Sequence, residues 1–575
     1  MRFILLPLLN LIRIFWRVLT APLRAMGAPR RPEYVRFRFT GDPSWRRSAR
    51  RRWALFQRTD PATVDSLETL RRQLEVLARD RRVVGVIIEV DGLEAPPAKR
   101  DALAEMFRDL RAAGKKVVGY GVTVSNAEYE LLCSTDRIVL PAAGRIDLTG
   151  FSAEASALGG ALARIGVKPH FLRRGEYKTA PEMFTREDMS PAQRETTERL
   201  LDERYLRLID RVAAGRKMTP DDARRRIDVG PFSARRAKTE GLIDDLCSEP
   251  ELPALLAPEG RKPENEEGRP EARVGTWSRY LASRVWPPGA WKRVRPTPPV
   301  GVVPINGMIA EGRGGTLPAG PVVAGSVSII SALDRARRNP RVPAVVVYVT
   351  SPGGSAPASE MILDAVKRLA RKKPVVAYFD RVAASGGYMA ACGAKEIWGG
   401  PGAIVGSIGV FGGKFDVSGL LNRIGVHRTL ITRGENSAIH SPSRGFTEHE
   451  LRSLEAEMDE TYQTFLEIVS EARGHTKEEL EPRAGGRVYS SDHARAEGLI
   501  DRVGTFEDAC RRALELAGKA PPARVDVQVF TTRPPGAGLL GMLRQLALGS
   551  ARVYALWWPW IRVTGEGAIG PADSV

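Results

Sequence analysis

Short apolar runs alternate with longer amphipathic stretches along this chain. Val83–Val90 is rich in β-branched residues and carries one charged side chain, Glu89. Such a run predicts a strand covered on both faces rather than one half-open to water. Lys99–Ala113 has helical spacing, Val117–Tyr120 reads as the next strand, and a helix follows near Ala127–Ser134. The same order returns in Ala344–Val349, Ser359–Lys372, Val375–Phe379 and Gly386–Ala394. Val86–Val90 matches Val345–Val349 at an offset of 259 residues, and that offset also relates Cys133 to Cys392, Arg164–Val167 to Arg423–Val426 and Arg174–Glu176 to Arg433–Glu435. Only a one-residue slip near Val117/Val375 interrupts it. The chain is therefore an internal duplication, and each copy predicts an α/β unit of parallel strands joined by right-handed crossovers.

The flanks differ in kind. Residues 36–247 and 300–519 form the two expected domains, and 248–299, rich in Pro, Glu, Gly and Arg around an aromatic island at Trp277–Trp291, reads as a linker. The first 27 residues hold a ten-residue uncharged run, Phe3–Ile12, too short to span a bilayer core of about 30 Å. Arg13, Arg17 and Arg24 follow without a small-residue cleavage site, which suits an interfacial anchor or a weak signal anchor. In the tail, 520–575, Tyr554, Trp557, Trp558 and Trp560 stand among Arg544, Arg552 and Arg562. Two readings fit: a headgroup anchor, or a docking segment that covers an apolar groove of the same protein.

Lys and Arg outnumber Asp and Glu by 87 to 68, giving a net charge of +19 over 575 residues. No nucleic-acid motif accompanies the excess, so anionic lipid is the expected partner and nucleic acid is not. The four cysteines form no CxxC and the six histidines are scattered; His449-Glu450 lacks the second histidine of a zinc-peptidase helix. Neither a disulfide framework, a metal nor another cofactor is expected.

The chemistry lies where the copies differ. In copy two the first strand runs into Thr350-Ser-Pro-Gly-Gly-Ser355, whereas copy one has Asp91-Gly-Leu-Glu-Ala95. The next strand of copy two runs into Ala383-Ala-Ser-Gly-Gly-Tyr388, placing Ser385 where copy one has Asn126. Conversely copy one has Lys178 where copy two has Ser437. Each copy thus carries a candidate catalytic group that the other lacks. A serine hydroxyl needs a base, and a lysine serves only when neutral. Its free pKa is about 10.4, and burial lowers it by up to roughly 3–5 units. The bland alternatives are a solvated surface lysine for Lys178 and a helix N-cap for Ser385. At the same turn, the N–H of Gly386 could face an oxyanion, with the Gly353-Gly354 pair offering a second donor. Ser407, inside the glycine-rich run 402–413, could orient the base; otherwise that run is a tight packing turn.

Gly175–Glu182, Asp188–Pro191, Ser351–Gly354, Ala384–Tyr388 and Gly406–Gly412 together resemble the signal peptide peptidase A (protease IV) family in its long, duplicated form, over roughly residues 60–510. The resemblance implies a Clp/crotonase-like α/β fold in each half, assembled into a bowl-shaped homotetramer. It implies a serine endopeptidase with Ser385 as nucleophile, Lys178 as base, Ser407 orienting the base, and Gly353 and Gly386 as the oxyanion hole. Its substrates would be cleaved signal peptides and other small apolar peptides, at a bacterial inner membrane with the bowl on the extracytoplasmic side. A crotonase-type acyl-CoA enzyme would share the glycine pair without needing the Ser–Lys pair, and a silent membrane scaffold would need neither.

Overall fold

The computed structural model describes residues 10–12, 14–16, 18–20, 29–46, 61–258, 270–284, 298–316, 322–430, 432, 435–522, 525–531, 554–556 and 561–564. Most of the expected N-terminal anchor, parts of the expected linker and the tail tryptophans 557, 558 and 560 lie outside the described residues. Among those described, no helix is long and apolar enough to cross a membrane.

Two largely parallel sheets carry the fold, as the apolar runs predict. The first follows the order 245–246, 137–140, 116–121, 85–93, 34–41, 274–276, all parallel. The second runs 488–490, 404–406, 375–384, 345–351, 300–306, 527–529, parallel except where 404–406 meets 488–490. The recurring helices fall as expected at Pro97–Ala112 and Ala356–Ala370, and at Asn126–Leu132 and Gly386–Ala391. Part of the expected linker is built into the first sheet: Val274–Thr276 forms its edge, and the helix Trp277–Ala282 buries Tyr280 beside it.

Side chains alternate between faces along each central strand. Val345, Val347 and Val349 face a core shared with Ala356–Ala370 and Glu448–Arg473. Val346 and Tyr348, on the reverse face, join a core that also contains Phe37, Val86, Leu74 and Phe107 from the first half. The helical face of the first half therefore stacks on the back of the second sheet. Between them lies the helix Phe506–Leu516, whose Phe506 ring meets Trp45, Tyr348 and Tyr378 at centroid distances of 5.9, 5.5 and 5.5 Å.

Polar ties reinforce this contact. The strand 375–384 runs five residues beyond its expected end at Phe379. Its extension is held from the other half: Trp45 Nε1 donates to Asp380 Oδ1 at 2.9 Å, and Asp42 bridges Arg381 (2.6 Å) and Lys99 (2.7 Å). A charged Asp-Arg pair stays extended there because its charges find partners across the stack.

A third, mixed sheet crosses between the halves in the order 315–316, 322–325, 308–310, 353–355, 554–556, 410–416, 168–174. Its last pair is decisive for chemistry. Lys168–Arg174 of the first half runs antiparallel to Val410–Asp416 of the second through seven consecutive residue pairs.

Phe506 is 1% exposed and fills the inter-half core. Phe506→Ala should lower the unfolding free energy by about 3–5 kcal/mol in a urea titration.

Candidate active site

The two candidate groups arrive on different routes. Strand 375–384 ends at Ser385, and the helix Gly386–Ala391 starts immediately after it. So sharp a strand-to-helix turn forces Ser385 to φ +54°, ψ −121°, a strained conformation for a residue with a Cβ. Its hydroxyl makes no cap bond to the helix, so the N-cap reading does not hold. By contrast Ser125, one residue before the counterpart position in copy one, is an ordinary N-cap in a capping box with Glu128.

Lys178 comes from the end of the inter-half ladder. Past Arg174 the chain turns at Gly175, and Tyr177 N donates to Gly485 O at 2.8 Å. The loop 485–486 presses so closely that a Cβ on Gly486 would lie 2.3 Å from the Lys178 nitrogen. These are backbone atoms, so only glycine fits there. Lys178, Ser385 and Ser407 are all 0% exposed, which excludes the solvated-lysine reading.

Lys178 Nζ lies 2.8 Å from Ser385 Oγ, 3.0 Å from Ser407 Oγ and 3.0 Å from Ser407 O. A carbonyl oxygen can only accept. A neutral amine satisfies this trio completely: its two N–H groups donate to Ser407 O and Oγ, and its lone pair accepts from the Ser385 hydroxyl. Burial alone, uncompensated by any charge, holds the amine far below the ordinary lysine range. Ser407 itself sits at φ +52°, fixed by its N–H donating to Arg487 O.

The glycines are arranged less simply. Gly386 opens the helix, its N–H has no acceptor among the described residues, and a Cβ on it would fall 2.2 Å from Ser359 Oγ and 3.4 Å from Gly354 N. The Gly353 N–H donates to Ser351 Oγ at 3.1 Å. Beside the helix is a cavity of about 350 Å³, floored by Met389, Pro357 and Phe446 and rimmed by Glu311, Glu360 and Glu457.

The matching position of copy one is closed. Asn126 Nδ2 donates to Gly150 O at 2.6 Å, and Glu128 accepts from the N–H groups of Gly92 (2.8 Å), Leu93 (2.9 Å) and Ser125 (2.8 Å). Ser437, the counterpart of Lys178, is exposed. The residues that sequence reasoning missed are Gly485-Gly486-Arg487, although the double glycine was a visible signal. Arg487 stacks 3.5 Å over the Tyr177 ring and pairs with Glu195 at 3.1 Å, bracing the loop that carries Lys178.

Comparison with known proteins gives the family. The model of peptidase family S49 matches residues 109–258 and 367–519. The chain is 30% identical to Protease 4 of Salmonella typhi over 450 residues, 76% of this chain and 70% of that one. It is 28% identical to the chloroplastic serine protease SPPA of Arabidopsis thaliana over 457 residues, 79% of this chain and 66% of the other. A shorter match, 28% over 183 residues, covers 32% of this chain and 53% of a putative signal peptide peptidase SppA of Enterococcus faecium.

Two stability measurements follow from the geometry. Glycine adopts the Ser385 backbone without strain, so Ser385→Gly should unfold at higher temperature than Ser385→Ala, by roughly 1 kcal/mol of stability. For Lys178 the folded pKa lies below the unfolded value of about 10.4, so between the two the unfolded chain binds an extra proton and stability rises with pH. Lys178→Met should therefore stabilise the protein at pH 7, with a gain that shrinks as the pH approaches 10; calorimetry across that range checks the sign.

Proposed function

Because the chain belongs to peptidase family S49 and is a serine peptidase, we propose that it cleaves peptides with a Ser–Lys dyad built from both copies of its duplication. The observation that carries this reading is the 2.8 Å contact between Lys178 Nζ of copy one and Ser385 Oγ of copy two, both fully buried. As Ser385 Oγ attacks the scissile carbonyl, its proton passes to Lys178 Nζ. The oxyanion takes hydrogen bonds from the N–H groups of Gly386 and Gly353, the latter released from Ser351 Oγ. The Lys178 ammonium, steadied by Ser407, then protonates the leaving amine, and water resolves the acyl-enzyme with Lys178 again as base.

Two tandem Clp/crotonase-like units, spanning 36–247 and 300–519, account for the recurring elements. The head-to-tail stacking of first half on second favours repetition around a ring, in keeping with a bowl-shaped homotetramer. Cleaved signal peptides and other small apolar peptides are the substrates, a reading supported by the printed name of the Enterococcus relative. The apolar, arginine-flanked N-terminus supports attachment to anionic lipid at a bacterial inner membrane, with the bowl on the extracytoplasmic side. An acyl-CoA enzyme or a silent scaffold would leave the buried, uncharged lysine without a purpose.

Ser385→Ala and Lys178→Ala should each lower cleavage of an apolar peptide by roughly 10³-fold or more, and the double variant should lose little further, because the pair acts as a unit. Full activity in Lys178→Ala would remove the base from the mechanism. With the amine held below its usual range, kcat/KM should climb as pH rises through that lowered pKa and then level. Ser407→Ala should retain part of the activity while moving that limb toward lower pH, because the ammonium loses an acceptor that steadies it.

A further inference from the structure

The strand Tyr554–Leu556 lies inside the mixed sheet, not at its edge. On one side it pairs antiparallel with the glycine segment, Leu556 opposite Gly353, Ala555 opposite Gly354 and Tyr554 opposite Ser355. On the other side Tyr554 pairs antiparallel with Phe411. Neighbouring strands sit about 4.8 Å apart, so the gap between 353–355 and 410–416 is one strand wide. One wall of that gap leads to the proposed oxyanion glycine. The other belongs to the strand that, through its pairing with Lys168–Arg174, carries Lys178 into place.

Beyond Leu556 the chain is described again at Ile561–Thr564, which pairs antiparallel with Ser152–Ala155. The tail is thus held on the serine-bearing half before Leu556 and on the lysine-bearing half after Ile561. Gly354, in one wall of the gap, also lies against the turn that carries Ser385, 3.4 Å from where a Cβ on Gly386 would fall, so the gap runs beside that hydroxyl. Main-chain pairing of this kind recognises a backbone in extended form, with side chains adding selectivity.

We propose that the interaction surface formed by Gly353–Ser355 and Val410–Phe411 is a peptide-strand slot whose resident occupant is Tyr554–Leu556 of the same chain, so that an incoming substrate peptide must displace the tail. The proposal rests on the peptidase reading of the cleft. It commits to this chain's own segment because both walls are already paired to it in register. Between the two meanings the sequence allows for the tail, it selects the docking segment over the headgroup anchor at these three residues. The tail then sets the enzyme's apparent affinity for peptides: a short or weakly pairing peptide fails to compete with a covalently tethered strand, while a longer apolar one succeeds.

The experiment uses the full chain with Tyr554→Pro or Ala555→Pro. Each removes one N–H from the ladder and fixes φ away from the strand value. In the Ser385→Ala background, where no turnover intervenes, hydrogen exchange at Gly353–Ser355 and Val410–Phe411 is followed by mass spectrometry. At least one proline variant should exchange these amides roughly tenfold faster than the parent. With Ser385 present, the same variant should hydrolyse a quenched apolar octapeptide at a KM several-fold lower with kcat little changed. A synthetic peptide of residues 550–564 should restore the higher KM competitively. Unchanged exchange in both variants, together with unchanged KM, overturns the tail proposal and leaves the peptidase reading intact. Faster exchange with no hydrolysis by any form carrying Ser385 upholds the tail's position and overturns the peptidase reading instead.

Discussion

An amine serves as a base only when it is neutral, and the proposed dyad depends on meeting that condition for Lys178. Water is excluded by complete burial. No counter-charge offsets that burial, which alone holds the amine below its usual range. What remains around Nζ is two oxygens of Ser407 and the hydroxyl of Ser385. The arrangement costs stability, since burying an ionisable group without a partner is unfavourable. It is kept by the surrounding elements: the inter-half ladder behind the lysine, the 485–487 loop pressing on its backbone, and the strained turns that aim the two serines.

The proposed site is divided between the copies, and the turn they share shows how. At the matching place in copy one, Glu128 fills the turn with a carboxylate that satisfies three backbone N–H groups, and Asn126 staples the turn to Thr149 and Gly150. These bonds serve folding and leave no donor for a substrate. Copy two keeps its turn open with glycines and a hydroxyl that forms no cap. The same strand-turn-helix element has been spent on rigidity in one half and on chemistry in the other.

Much of this was legible along the chain. The strands and helices of each copy were readable because their apolar runs are buried on both faces and recur at one offset; Val83–Val90 was expected and Gly85–Leu93 is found, Lys99–Ala113 was expected and Pro97–Ala112 is found. Ser385 and Lys178 stood out because the copies differ there, Ser407 because it sits in the glycine-rich run 402–413, and the three meet in space. Three things were not legible. The strand through Asp380 and Arg381 looked too polar to continue, because its partners Trp45 and Asp42 lie more than three hundred residues away. The pairing of Lys168–Arg174 with Val410–Asp416 has no signature in either segment alone, since it is set by how the halves stack. The grip of Gly485-Gly486 on Lys178 likewise depends on a contact between two loops that no local pattern encodes.

The spacing of the dyad also bears on how the cell lives with such an enzyme. The hydroxyl follows the amine by 207 residues, and the ladder that joins them closes only after Val410–Asp416 has been made. A chain still emerging from the ribosome therefore carries a lysine with nothing to activate and, later, a serine with nothing to activate it. Fragments left by incomplete synthesis or by breakage between the halves would likewise hold one member of the proposed pair without the other. With the proposed dyad, activity is deferred to the moment when translation and folding have joined the two halves.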